Sequence, residues 1–299
     1  MIGNTPLISL ERMKTEQNWQ AQVLVKCEWC NPAGSAKDRA VRCMLDDAIA
    51  KGKLAVGGTV VESTSGNTGI ALAAQASAMG LTAVIVMPDN MSRERISLMR
   101  ARGARVVLTP AALGMQGALA EAERIVASTE GAIMLGQFDN PANAQAHYLT
   151  TGPEMLAQTG GKLDALVACV GTGGTLSGTG KYLKENIPGL RVYAVEPAES
   201  PLLSGGVAGA HGIQGIGANF IPSVLDRSVY DEVLTVTTEQ AMAFCRLLGK
   251  TEGLLGGISS GAALAAADAL ARSADMAGKR IAVILPDGGE RYLSTGLYD

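Results

Sequence analysis

"VACVGTGGTLSGTGKYL", residues 167–183, joins an unbroken apolar run to a turn crowded with glycine and threonine, then to an amphipathic stretch. A short continuous apolar run reads as a strand buried on both faces, the kind found in parallel sheets covered by helices. One such unit decides the fold class if it recurs along the chain. Runs of the same kind stand at 59 ("TVVES"), 81 ("LTAVIVM"), 104 ("ARVVLT"), 191 ("RVYAV") and 281 ("IAVIL"). Alanine-rich or amphipathic segments at 67–80, 92–102, 115–129, 174–186 and 259–271 separate them. Strand alternating with helix means βαβ units, so an α/β fold with parallel-rich twisted sheets flanked by helices is expected.

The 299 residues correspond to about two domains at the usual domain size of roughly 150. One sheet is expected from strands between about 59 and 135, and another from those between 165 and 285. The loop-like "QFDNPANAQ", residues 137–145, is rich in Asn and Pro and marks their boundary. Apolar residues at 47% and charged residues at 18% predict an ordered globular chain. A net charge of −3 gives no electrostatic reason to bind nucleic acid or an acidic membrane. Small molecules are the expected partners. Five cysteines, and a start at "MIGNTPL" with no charged-then-apolar leader, predict a reducing cytoplasm. No apolar stretch approaches the roughly 20 residues of a membrane-spanning helix.

The turn Gly171–Thr175 follows a buried strand and opens a helix, where glycine backbone and free N–H groups favour a phosphate. A plain tight turn is the bland alternative. A dinucleotide loop is a second one: Gly171 and Gly173 fit G-x-G-x-x-G and Glu196 stands near the position of a ribose acceptor, but Leu176 occupies the third glycine's place. "ESTSGNTGIALAA" at 62 repeats the strand–turn–helix pattern with Thr64, Ser65, Asn67 and Thr68, groups suited to a carboxylate or ring oxygen and equally to helix capping. "GGISSGAALAAA" at 256 makes a third such turn, with Ser259 and Ser260. "NPAGSAKDRA" at 31 places Lys37 in the first turn of a helix, where positive charge is unfavourable. Either Asp38 offsets it, or Lys37 is there for chemistry.

Taken together, "NPAGSAKDR", "TSGNTGIALA", "GTGGTLSG", "IQGIGANFIP", "GISSGAALAAA" and "GERYLSTGL" closely resemble the cysteine synthase (O-acetylserine sulfhydrylase) and cystathionine β-synthase family of fold-type II pyridoxal-phosphate enzymes, from "IGNTPL" onward and in the same order. The resemblance implies the tryptophan-synthase-β-like fold. It implies a smaller mobile domain over 35–140 that carries the substrate-carboxylate loop, and a larger one over 1–34 and 141–299 that carries the phosphate loop. Pyridoxal 5′-phosphate is the implied cofactor, with Lys37 as its covalent anchor and catalytic base. Gly171, Thr172, Gly173, Gly174 and Thr175 match the phosphate cradle, Asn67 the residue at the ring 3′-oxygen, and Ser259 the residue at the pyridine nitrogen. Thr64, Ser65 and Thr68, with Gln137 of "GQFDNPAN", match the groups holding the substrate α-carboxylate, and Gly215 lies in the loop near the substrate amine. The implied activity is β-replacement forming L-cysteine from O-acetyl-L-serine and sulfide through an α-aminoacrylate. The implied partners are a second copy of the chain and the C-terminal tail of serine acetyltransferase.

Within the family, a cystathionine β-synthase-like enzyme or a hydrogen-sulfide-producing cysteine lyase is the alternative, because "LPDGGERYLSTG" carries Asp287 where sulfide-using members resemble "PSSGERYLST". A nicotinamide-dependent dehydrogenase is the alternative from another class, and it leaves Lys37, Asn67 and Ser259 without roles. Cys27 and Cys30 form a C-x-x-C on an expected strand with no second pair, so packing is expected in place of a metal or redox site. Cys43, Cys169 and Cys245 read as core residues, and His147 and His211 as structural.

Overall fold

The computed structural model describes residues 1–299. The strands are β1 (Leu7–Ser9), β2 (Gln22–Cys27), β3 (Thr59–Ser63), β4 (Thr82–Pro88), β5 (Arg105–Thr109), β6 (Ile133–Met134), β7 (Ala165–Cys169), β8 (Arg191–Pro197), β9 (Glu232–Val236) and β10 (Arg280–Leu285). The helices are α1 (Glu11–Gln17), α2 (Lys37–Ala50), α3 (Asn67–Ala78), α4 (Arg93–Ala101), α5 (Gly114–Ser128), α6 (Ala142–Leu149), α7 (Thr151–Thr159), α8 (Gly174–Asn186), α9 (Thr238–Glu252) and α10 (Ile258–Ala271). The chain forms two compact units, one of residues 1–36 with 144–299 and the other of residues 37–143.

The larger unit holds a six-stranded sheet in the order β1-β2-β10-β7-β8-β9. Every pairing in it is parallel except β1 with β2. The sheet therefore takes in two strands from the first 27 residues, N-terminal to the stretch from which it was expected. Alternate residues go to opposite faces, as strand geometry requires. Ile281, Val283 and Leu285 join the core under α10, with Ala262, Ala263, Ala266 and Ala267. Ala282 and Ile284 join the opposite core, with Leu176 and Leu183 of α8. Each fully buried Val, Leu or Ile contributes about 1.5–3 kcal/mol, which is why these strands read as unbroken apolar runs.

The smaller unit is a four-stranded parallel sheet in the order β5-β4-β3-β6. One core packs Ala118, Ala122 and Ile125 of α5 against Val61, Val84 and Val86. Helices α2 and α3 pack on each other, and Gln75 of α3 donates to the carbonyl of Asp38 in α2 (2.8 Å).

An N-terminal polar network closes the larger unit. Lys26 is fully buried and donates to the carbonyl of Thr5 (2.7 Å), to Glu154 Oε2 (2.8 Å) and to Gln158 Oε1 (2.9 Å). Thr5 in turn donates to buried Glu28 (2.7 Å), and the Gly3 N–H to Asn31 Oδ1 (2.9 Å). Removing one partner of such a pair strands the other charge. Lys26→Met should therefore cost about 3 kcal/mol of unfolding free energy, read as a lower urea midpoint with an unchanged slope. A loss below about 0.5 kcal/mol, the range of ordinary surface changes, would show that Glu154 relaxes into water.

Candidate active site

In the larger unit, β7 runs into Gly171–Thr175 and then α8. Gly173 is left-handed (φ +85°) and caps α8 without a side-chain hydrogen bond. A Cβ on Gly173 would lie 2.7 Å from the Leu225 Cβ, and one on Gly171 would overlap the carbonyl oxygen of Gly215. Only glycine fits at either position. The Gly217 N–H also donates to the Val170 carbonyl (3.2 Å), so the phosphate-type turn and the Gly215 loop, far apart in sequence, are adjacent. The Ser177 N–H makes the bond to Gly173 O (3.0 Å), and the N–H groups of Gly174, Thr175 and Leu176 precede it at the helix start, where donors lack intrahelical partners. Backbone donors, the helix dipole and the Thr172 and Thr175 hydroxyls make a donor set that fits a phosphate dianion.

Ser259 lies near the same strand end. It is 4% exposed, and its carbonyl accepts from the Cys169 thiol (3.2 Å). Capping does not explain "GISSG": the N-cap of α10 is Gly257, without a side-chain cap bond, and Ser260 donates instead to the Asp287 carbonyl (3.0 Å). The structure thus gathers Gly171–Thr175, Gly215 and Ser259 at the carboxyl end of β7.

In the smaller unit, Thr64 and Ser65 occupy the turn from β3 into α3, and Asn67 and Thr68 are the first two residues of α3. Here too the N-cap is a glycine, Gly66, with no side-chain cap bond. Thr64 Oγ1 accepts from the Gly66 N–H (3.3 Å), and the Ser65 carbonyl accepts from Arg95 (3.4 Å). Buried Thr68 donates to Gln137 Oε1 (2.6 Å), which brings together two residues 69 positions apart. Lys37 is the first residue of α2 and is partly buried.

The dinucleotide alternative loses its acceptor. Glu196 is 3% exposed and its carboxylate accepts from the N–H groups of Leu203 (2.7 Å) and Ser204 (2.9 Å) and from the Ser204 hydroxyl (2.6 Å), while Leu176 is fully buried in the core. Asp287 is fully buried, and its carboxylate accepts from the Tyr292 hydroxyl (2.6 Å).

Cysteine placement departs from expectation at two positions, Cys43 and Cys30. Cys169 and Cys245 are buried, but Cys43 is partly exposed: it lies beside the α2 face that carries Arg42, Asp46 and Asp47, flanking the buried stripe of Ala40, Val41, Met44 and Leu45. Cys27 is buried at the end of β2 and Cys30 exposed in the turn after it. Burial first, then Cys30 and Glu28, pushes the Cys27 thiol up to about 12, against the pull of Lys26. Burial and Glu28 also raise Cys30. Both thiols therefore lack the thiolate character of a reactive pair.

Two further residues bear on the site. Buried His147 lies 3.1 Å from Thr175 Oγ1 through Nε2 and 2.9 Å from Thr151 Oγ1 through Nδ1, so its structural role reaches the phosphate-type turn. Nothing in "AHYLTTG" signals this. Glu62 sits in the buried stretch of β3 at 3% exposure. The signal there was visible: one acid inside an apolar run, directly before a polar turn.

The family model described as pyridoxal-phosphate dependent enzyme matches residues 1–287. A cysteine synthase of Staphylococcus aureus is 48% identical over 299 residues, covering 100% of this chain and 95% of that one. The crystal structure of a cysteine synthase from Entamoeba histolytica superposes with a TM-score of 0.95 at 40% identity, covering 99% of this chain and 88% of that one. A hydrogen sulfide-producing enzyme from Fusobacterium nucleatum superposes with a TM-score of 0.92 at 41% identity, covering 98% and 97%. The fold implied by the sequence motifs is the fold found.

Proposed function

The chain belongs to the pyridoxal-phosphate dependent enzymes, and from that premise we propose that it forms L-cysteine from O-acetyl-L-serine and sulfide by β-replacement. The observation that carries this is the 48% identity over all 299 residues with a cysteine synthase. When bound, pyridoxal phosphate supplies an electron-withdrawing ring that acidifies the α-carbon of the amino acid held on it.

The chain's own residues supply the rest. Gly171–Thr175 hold the phosphate by backbone N–H and hydroxyl donors. Asn67 orients the ring through its 3′-oxygen. Ser259 would offer the ring nitrogen a neutral hydroxyl, which favours a proton there less than a carboxylate would. That neutral partner would suit loss of a β-leaving group better than transamination. Thr64, Ser65, Thr68 and Gln137 bind the substrate α-carboxylate, and Gly215 lies by its amine. The Lys37 amine would hold the cofactor at rest and, once displaced by the substrate amine, would take the α-proton and return it after sulfide has added. Residues 35–140, with the carboxylate loop, form the mobile domain, and 1–34 with 141–299 the domain of the phosphate loop. The same resemblance supports a homodimer that accepts the C-terminal tail of serine acetyltransferase. Five cysteines, all free, suit the reducing cytoplasm. No helix is long and apolar enough to cross a membrane.

Sulfide-releasing cysteine lyase is the second reading, favoured by the similarity to the Fusobacterium nucleatum enzyme. Cystathionine formation is disfavoured, because Asp287, the departure from the sulfide-using pattern, is buried and bonded to Tyr292 where it would have to meet a second amine. Homocysteine would have to bring a further amine and carboxylate out of water, at several kcal/mol if they stay unpaired. The test presents O-acetylserine with sulfide, thiosulfate or homocysteine, and L-cysteine alone, to the cofactor-loaded protein. Sulfide should be consumed at least about 100-fold faster than homocysteine, given that penalty. Faster use of homocysteine, or sulfide release from cysteine outpacing its synthesis, would replace the synthase assignment.

A further inference from the structure

Strand β6 pairs with β3 only at Val60↔Ile133 and Val61↔Met134. Where the ladder stops, the Glu62 side chain takes over: its Oε2 accepts from the N–H groups of Leu135 (3.2 Å) and Gly136 (3.3 Å). Gly136 then turns the chain with a φ of +66°, and the next residue is Gln137, 7% exposed, whose side chain meets Thr68 and whose carbonyl accepts from Asn143 Nδ2 (2.7 Å). Glu62 is thus two residues from Thr64 along the chain, and its carboxylate holds the backbone that delivers Gln137 to Thr68.

Burying a carboxylate is costly unless it is hydrogen-bonded, and an apolar residue here would take the acceptor away from the Leu135 and Gly136 N–H groups. Burial pushes the Glu62 carboxyl up to about 7 even though the backbone N–H groups of Gly136, Gln137 and Leu135 pull it down. What the two backbone N–H groups use of residue 62 is an acceptor oxygen.

We infer that Glu62 is a positioning residue for the amino-acid substrate, its carboxylate fixing residues 135–137 so that Gln137 and Thr68 meet the α-carboxylate as a preset pair. The inference rests on the assignment of Thr64, Ser65, Thr68 and Gln137 to that carboxylate. Preset geometry lowers the cost of binding, and displacement of a binding group by about 1 Å costs up to about 100-fold.

The test compares cofactor-loaded wild type, Glu62→Ala and Glu62→Gln. Glu62→Ala should raise KM for O-acetylserine by about tenfold or more while kcat stays within about threefold, the pattern of lost uniform binding. KM for sulfide should not move. The Kd of unreactive L-serine, read from cofactor absorbance, should rise by the same factor as KM for O-acetylserine. Glu62→Gln, which keeps an acceptor oxygen, should restore both within about threefold. A merely structural Glu62 would lower the yield of folded, loaded protein and leave the KM of that fraction alone. Should Glu62→Ala not fold, Glu62→Met fills the same volume without an acceptor and reads the same constants. An unmoved KM in the alanine or methionine variant, or a glutamine variant as impaired as alanine, overturns the inference alone. No turnover by wild type overturns the functional assignment together with it.

Discussion

Lys37→Ala should leave pyridoxal phosphate untrapped by borohydride, remove the yellow of the loaded protein, and cut turnover by at least about 10⁴-fold, the upper range for loss of a general acid–base. Stability should move the other way. Lys37 opens α2, where a positive charge opposes the helix dipole at about 0.3–1 kcal/mol, so the apo variant should unfold no earlier than apo wild type. That asymmetry separates chemistry from architecture, because a lysine kept for packing would show the reverse. The control is the fully buried lysine: Lys26 is held by the Thr5 carbonyl, Glu154 and Gln158 and has no proposed role toward the cofactor. Borohydride labelling that persists in Lys37→Ala would move the covalent role to another lysine.

The fold was legible where burial on both faces writes an unbroken apolar run, as in β4, β7 and β10, and where helices between them are rich in alanine. It was less legible at sheet edges. β1 has three residues and β6 two, too few for a period to show. β9, at an edge of its sheet, mixes exposed and half-buried positions. Nothing local in residues 7–27 announces that they pair beside β10, more than 250 positions later; that follows from crossover topology. The candidate site divides in the same way. The glycine turn, the two polar turns and Lys37 are each local in sequence and could be named from it. The partners that hold them are remote: Thr68 with Gln137, Glu62 with Leu135 and Gly136, and His147 with Thr175 across 28 positions. Such pairs carry no periodicity, and a lone acid or histidine takes its meaning only from what the fold sets against it.

Thr175→Asp is the second variant with a large expected effect, and its value lies in opposing signs. Thr175 is the second residue of α8, following the Gly173 cap. An acid in the first turn of a helix is favourable by about 0.3–1 kcal/mol, and His147 Nε2 lies 3.1 Å from Thr175 Oγ1, within reach of the new carboxylate. The apo variant should therefore be at least as stable as apo wild type. For the proposed phosphate the same carboxylate is a like charge at the mouth of its cradle. Two unit charges about 4 Å apart repel by about 4 kcal/mol at an effective dielectric near 20, and a phosphate monoester carries up to two. Cofactor affinity should fall at least about 100-fold, read by absorbance titration of the apo protein, with Thr175→Ser close to wild type because the hydroxyl is retained. If Gly171–Thr175 were only a tight strand-to-helix turn, the substitution would be silent toward the cofactor and stabilising overall. Wild-type affinity in Thr175→Asp would take the phosphate away from this turn, whereas weak binding in a fully folded variant is an outcome that a loss of structure cannot produce.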